Sequence, residues 1–141
     1  MSKNISIFTY GSLRDGFFNY NKYLAGKVTS NRIGKIKDVD LYHMPYKGYP
    51  AIIPGSGEVI GEVMTISDCD NVMKAIDEME GFISEGNPQN EYDKKLVEVE
   101  LEDGTKEMCH AYFYNKECDK LFDQESISIA GCDWKKYMLS N

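Results

Sequence analysis

Apolar and polar positions change rhythm along the chain, and the changes mark out the elements. Asn4 to Tyr10 is dense in β-branched and aromatic residues and predicts a first strand. It runs into Gly11-Ser12-Leu13-Arg14-Asp15-Gly16, a loop with glycine at each end. Phe18 to Ala25 predicts a short helix ended by Gly26. Arg32 to Met44 predicts a strand, broken by turn residues at Pro45 and Gly48-Tyr49-Pro50, and Glu58 to Ile66 predicts another. In Lys95 to Asn115 the alternation of Val97, Val99 and Leu101 before Asp103-Gly104 predicts a β-hairpin. The tail is polar until Ile127, and Lys135 to Leu139 predicts a last helical turn. Several strands and one strong helix, without βαβ alternation, predict an α+β fold around a mostly antiparallel sheet or barrel.

The strong helix is Asp68 to Glu80. Ser67 stands at its N-cap position with Asp70 three residues on, and Gly81 stands where it should stop. At about 100° per residue, Cys69, Val72, Met73, Ala75, Ile76 and Met79 share one apolar arc. Lys74, Asp77 and Glu78 fall outside it, and Glu80 falls inside it. Burial, the negative end of the helix dipole and nearby Asp77 would all favour a protonated Glu80. A carboxyl group tuned toward neutrality suits proton transfer. On this geometry alone a frayed last turn with Glu80 in solvent is the favoured reading.

Composition narrows the function. The chain of 141 residues fits a single domain, 1–141, and carries a net charge of −7. Its basic residues are spread, with no stripe to follow a phosphate backbone, so nucleic acid is not an expected partner. No segment approaches the roughly 18 apolar residues of a membrane span, so no membrane partner is expected. No apolar stretch of about 7–15 residues follows Met1 to Asn4, as a secretory signal would require. The four cysteines form no C-x-x-C pair, and a cytoplasmic location with reduced thiols is expected. Cys109 and His110 are adjacent on a predicted strand and face opposite ways, so they make a poor metal site, and no metal or other cofactor is expected. Gly55-Ser56-Gly57 precedes a strand rather than a helix and reads as a turn, not a nucleotide loop.

A glycine directly after a strand lets successive main-chain N–H groups turn toward one anion, so Tyr10-Gly11-Ser12-Leu13 is a candidate carboxylate cradle or an ordinary turn. That sequence also carries a resemblance. Tyr10 to Leu13, then Ile76-Asp77-Glu78-Met79-Glu80-Gly81-Phe82, then Tyr92 opening a charged strand, the aromatic run Ala111 to Asn115, and Ile129-Ala130-Gly131-Cys132-Asp133-Trp134 occur in order over residues 5–137. The set resembles the γ-glutamyl cyclotransferase-like proteins, which include the γ-glutamylamine cyclotransferases and the avirulence-induced-gene-like proteins. Cys132 is an insertion relative to the family's tail motif.

The resemblance implies a small mixed, mainly antiparallel β-barrel or curved sheet with flanking helices. It implies a metal-independent, 5-oxoproline-forming acyltransferase or lyase with Glu80 as catalytic acid/base. Tyr10, Gly11, Ser12, Leu13 and Tyr92 would bind substrate. The partner would be a small-molecule γ-glutamyl compound, and the protein a monomer or weak homodimer. A non-catalytic γ-glutamyl or carboxylate binding module on the same fold is the alternative.

Overall fold

The computed structural model describes residues 5–139 apart from 12, 15, 16, 18, 68 and 130–132. Strand β1 (Ile5–Thr9) is followed by a π-helical turn at Tyr20–Leu24, where a short helix was expected. Then come β2 (Val28–Met44), β3 (Tyr49–Ile66), helix α1 (Cys69–Met79), β4 (Tyr92–Leu101) and β5 (Lys106–Tyr114). The tail adds a 3₁₀ turn, α2 (Phe122–Glu125), a two-residue strand β6 (Ile127–Ser128) and α3 (Trp134–Leu139).

The sheet order β3-β1-β5-β4-β2, with β2 pairing back onto β3, closes a five-stranded barrel, and β6 pairs with the outer part of β2. Every pairing is antiparallel except β1 with β5, where Ile7 lies opposite His110. The barrel is therefore mixed, because β1 sits between β3 and β5. Closure leaves no open edge among the five strands.

Two expectations about β2 and β3 need correction. They form one long hairpin rather than strands bounded at Arg32 and Glu58, and Gly55-Ser56-Gly57 lies within β3. The register passes from Lys37 opposite Glu58 to Val39 opposite Pro54. The chain bends there without reversing: Asp38 adopts φ +64°, which Asp tolerates better than most residues. The Asp40 carboxylate accepts from the main-chain N–H groups of Ser56 and Gly57 at 3.4 and 3.3 Å. A bulge has replaced the predicted turn.

Alternation along the strands divides the core into two clusters. Phe8, Ile36, Val59, Val63, Val99, Cys109 and Ala111, drawn from all five strands, fill the barrel. Ile7, Met64 and Ile66 face the other way and pack against Val72, Met73 and Ile76 of α1. Those helix residues are buried, while Lys74 and Glu78 are exposed, as the apolar arc predicted. At the far end Trp134 is buried, stacks near Phe17 and donates its indole N–H to His43 Nδ1 at 3.1 Å. Among the described residues no helix is long and apolar enough to cross a membrane.

Candidate active site

Helix α1 ends in a way that fixes Glu80. The N–H of Phe82 donates to the Asp77 carbonyl at 2.8 Å and that of Gly81 to the Glu78 carbonyl at 3.2 Å, the two bonds of a Schellman cap. Gly81 supplies the left-handed residue this cap needs, with φ +69°. Glu80 is thus the C-cap, still tied to the helix by its N–H bond to Ile76, and is not a frayed end. Its partly buried side chain lines a cavity of about 100 Å³.

Strand β1 delivers the opposite wall. Thr9, Tyr10, Gly11 and Leu13 line the same cavity. Tyr10 is buried and donates its hydroxyl to the Tyr112 carbonyl at 2.6 Å. A side-chain carbon on Gly11 would lie 2.5 Å from Pro50 Cγ, so only glycine lets this loop lie against the start of β3. The Arg14 N–H closes the loop onto the Gly11 carbonyl at 3.0 Å. The Arg14 guanidinium reaches Glu62 at 2.6 Å and Asp133 at 2.7 Å.

Aromatic and acidic residues complete the cavity. Tyr92 donates its hydroxyl to the Pro50 carbonyl at 2.7 Å, and its ring lies 5.0 Å from Tyr114 and 6.1 Å from Tyr49. Glu91 Oε2 accepts from Tyr49 Oη and from Lys47 Nζ, both at 2.7 Å. Just outside the cavity, Asp77 accepts from Tyr112 Oη at 2.5 Å and from Lys94 Nζ at 2.9 Å.

Burial is the main cause that lifts the Glu80 carboxyl to a pKa of about 8, and the charges of Glu91 and Asp77 push it the same way. Tyr10 and Tyr92 are also raised, mainly by burial, and stay protonated at any physiological pH. At neutral pH Glu80 therefore carries a proton and lies within reach of gaining or losing it. Among the described residues no cluster of His, Cys, Asp or Glu could hold a metal ion.

Of the residues picked from sequence, the structure brings Tyr10, Gly11, Leu13, Glu80 and Tyr92 to one cavity. Ser12 lies outside the described residues, as does Cys132. The sequence reading missed Thr9, Asn19, Tyr49, Glu91 and Tyr112, which line the cavity too. Glu91 directly precedes Tyr92, but nothing in their spacing distinguishes it from the other acids of an acidic stretch.

Residues 7–136 match the family model described as gamma-glutamyl cyclotransferase, AIG2-like. The chain belongs to this family. A Methanocaldococcus jannaschii protein, named as a provisional gamma-glutamylcyclotransferase, is 30% identical over 133 residues, covering 93% of this chain and 96% of its own. The gamma-L-glutamyl-butirosin B gamma-glutamyl cyclotransferase of Niallia circulans is 28% identical over 138 residues, covering 96% of this chain and 79% of its own. The crystal structure of an AIG2-like protein from Mus musculus superposes with a TM-score of 0.61 at 20% identity, covering 79% of this chain and 78% of that one. The mixed barrel with an extra strand and a few helices is thus the AIG2-like fold, and the family and its named members indicate a cyclotransferase-type enzyme.

Proposed function

We propose that this AIG2-like protein cleaves a γ-glutamyl amide or isopeptide by attack of the substrate's own α-amine, releasing 5-oxoproline and a free amine. The observation that carries this reading is the proton-holding Glu80 carboxyl in the same cavity as the loop after β1. The attacking nitrogen and the γ-carbonyl belong to one molecule and close a five-membered ring, so proximity is built into the substrate. The enzyme needs to fold the chain and move protons. The Gly11–Leu13 loop would hold the α-carboxylate on main-chain N–H groups. Ionised Glu80 would take a proton from the α-ammonium as nitrogen attacks the γ-carbon. Protonated Glu80 would then return it to the departing nitrogen as the C–N bond breaks, and the second proton that the ring nitrogen sheds would pass through the same carboxylate to the released amine, which leaves as an ammonium. One carboxyl serves both steps, and no redox change occurs. Tyr10 and Tyr92 would wall the pocket and exclude water.

The test is a panel of γ-glutamyl amino acids, amines and lysine isopeptides, with 5-oxoproline detected by mass spectrometry. Glu80→Gln keeps size and most hydrogen bonding but cannot exchange the proton, and should lose about 10²–10⁴-fold in turnover. Exposed Glu78→Gln is the control and should retain it. No 5-oxoproline from any panel member would favour the binding-module reading. Equal turnover by Glu80→Gln and wild type would remove Glu80 from the mechanism.

A further inference from the structure

The charged groups around Glu80 are unevenly compensated. Asp77 on α1 has both oxygens engaged: Oδ1 accepts from Tyr112 on β5 and Oδ2 from Lys94 on β4. Glu91, just before β4, has only one. Its Oε2 takes both donors, Lys47 Nζ and Tyr49 Oη, and among the described residues no donor reaches Oε1. That oxygen lies on the Gly81 side, 3.4 Å from where a Gly81 side-chain carbon would stand, next to Glu80. The backbone holds Glu91 still: its N–H donates to the Gly81 carbonyl at 3.0 Å and its carbonyl accepts from Asn115 N–H at 2.9 Å. Tyr10 just after β1, Tyr49 on β3 and Tyr92 on β4 also line the cavity, and among the described residues Lys47 is the cation paired with Glu91.

We infer that Glu91 is the specificity-determining carboxylate that docks the substrate's α-ammonium beside Glu80. This rests on the γ-glutamyl reading above and deepens it. A cavity-lining carboxylate with one oxygen taking two donors and the other taking none among the described residues can accept one more donor, and an ammonium supplies it at charge-assisted strength. Its place next to Glu80 delivers that ammonium to the group that must deprotonate it. The same negative charge keeps a proton on Glu80 until the cation arrives, so substrate binding itself would ionise Glu80.

Two measurements test this. The first is equilibrium binding of L-glutamine against glutaramic acid, which is the same molecule without the α-amine. Wild type should prefer L-glutamine by at least about tenfold, the strength expected of a charge-assisted hydrogen bond. Glu91→Gln should bring the two within about threefold. A preference that survives in Glu91→Gln overturns the inference, as does the absence of any preference in wild type.

The second is the pH profile of kcat/KM on the best substrate of the panel. Glu91→Gln should move its acid limb to lower pH, because a negative charge beside Glu80 is gone. Lys47→Met keeps Glu91 but removes its counter-charge, and should move the limb to higher pH. A purely structural role would move neither limb in these opposite directions, and unmoved limbs overturn the inference. The binding arm needs no turnover. A wild type that binds with the stated preference yet makes no 5-oxoproline would sink the catalytic reading and leave Glu91 as the ammonium dock.

Discussion

Glu91 and Gly81 touch along their backbones: the Glu91 N–H donates to the Gly81 carbonyl at 3.0 Å, and a side-chain carbon on Gly81 would come to 2.8 Å from Glu91 Cβ. One glycine therefore ends α1 and lets the segment before β4 approach the helix end. Gly81→Ala meets two penalties at once, a left-handed φ of +69° and that contact. Together they should cost about 1–3 kcal/mol, seen as a lower denaturation midpoint at unchanged slope. Displacing Glu80 relative to Glu91 should also lower kcat/KM. A variant as stable as wild type would show that this contact is not tight in solution.

Arg14 should matter for stability more than any surface ion pair. Its side chain and that of Glu62 are about 5% and 4% exposed, and Glu62 Oε1 also accepts from Asn31 Nδ2 at 2.9 Å. Removing one partner of a buried pair leaves the other charge without compensation, a loss of roughly 3–5 kcal/mol. Arg14→Met should approach that figure in chemical denaturation. Lys106→Ala breaks the exposed contact to Glu98, whose side chains are 59% and 60% exposed, and should change stability by less than about 1 kcal/mol. Similar losses in the two variants would contradict the buried assignment. Because Arg14 also holds Asp133, Arg14→Met should loosen α3, raising amide exchange at Trp134 to Leu139.

What was legible in the chain follows from the range of each signal. The α1 arc of Val72, Met73 and Ile76, the Gly81 stop and the Asp103-Gly104 hairpin are local patterns, and each stands where it was expected. The parallel contact of Ile7 with His110 depends on barrel closure between residues about a hundred positions apart, which no local pattern encodes. The bulge at Asp38 and Gly55 to Gly57 deceived the reading because a glycine pair signals a turn whether the chain reverses or only bends. The same split runs through the cavity. Glu80 stood out as an acid in an apolar arc, and Tyr10, Gly11 and Leu13 through their place at a strand end. Glu91, Tyr49 and Tyr112 arrive from three separate segments, and only the folded barrel gathers them.

Glu80 should leave a mark on stability as well as on rate. Its carboxyl has a pKa of about 8 in the folded protein, against 4.5 in the absence of its surroundings, with burial as the leading cause. Between those values the folded state holds a proton that the unfolded state has released. Stability contributed by this group is therefore complete below about pH 4.5 and is lost as pH rises toward 8. Glu80→Gln cannot ionise, so it should gain on wild type steadily across that range, by at least about 1 kcal/mol between pH 5 and 8. The difference between the two unfolding free energies at each pH isolates Glu80, since every other titrating group is common to both. In the same window kcat/KM of wild type should rise with pH to an apparent pKa near 8, as the proton-accepting form of Glu80 grows. A constant stability difference from pH 5 to 8 would mean that Glu80 titrates like a solvent-exposed glutamate, and the cavity-lining, proton-holding carboxyl on which the mechanism depends would be lost with it.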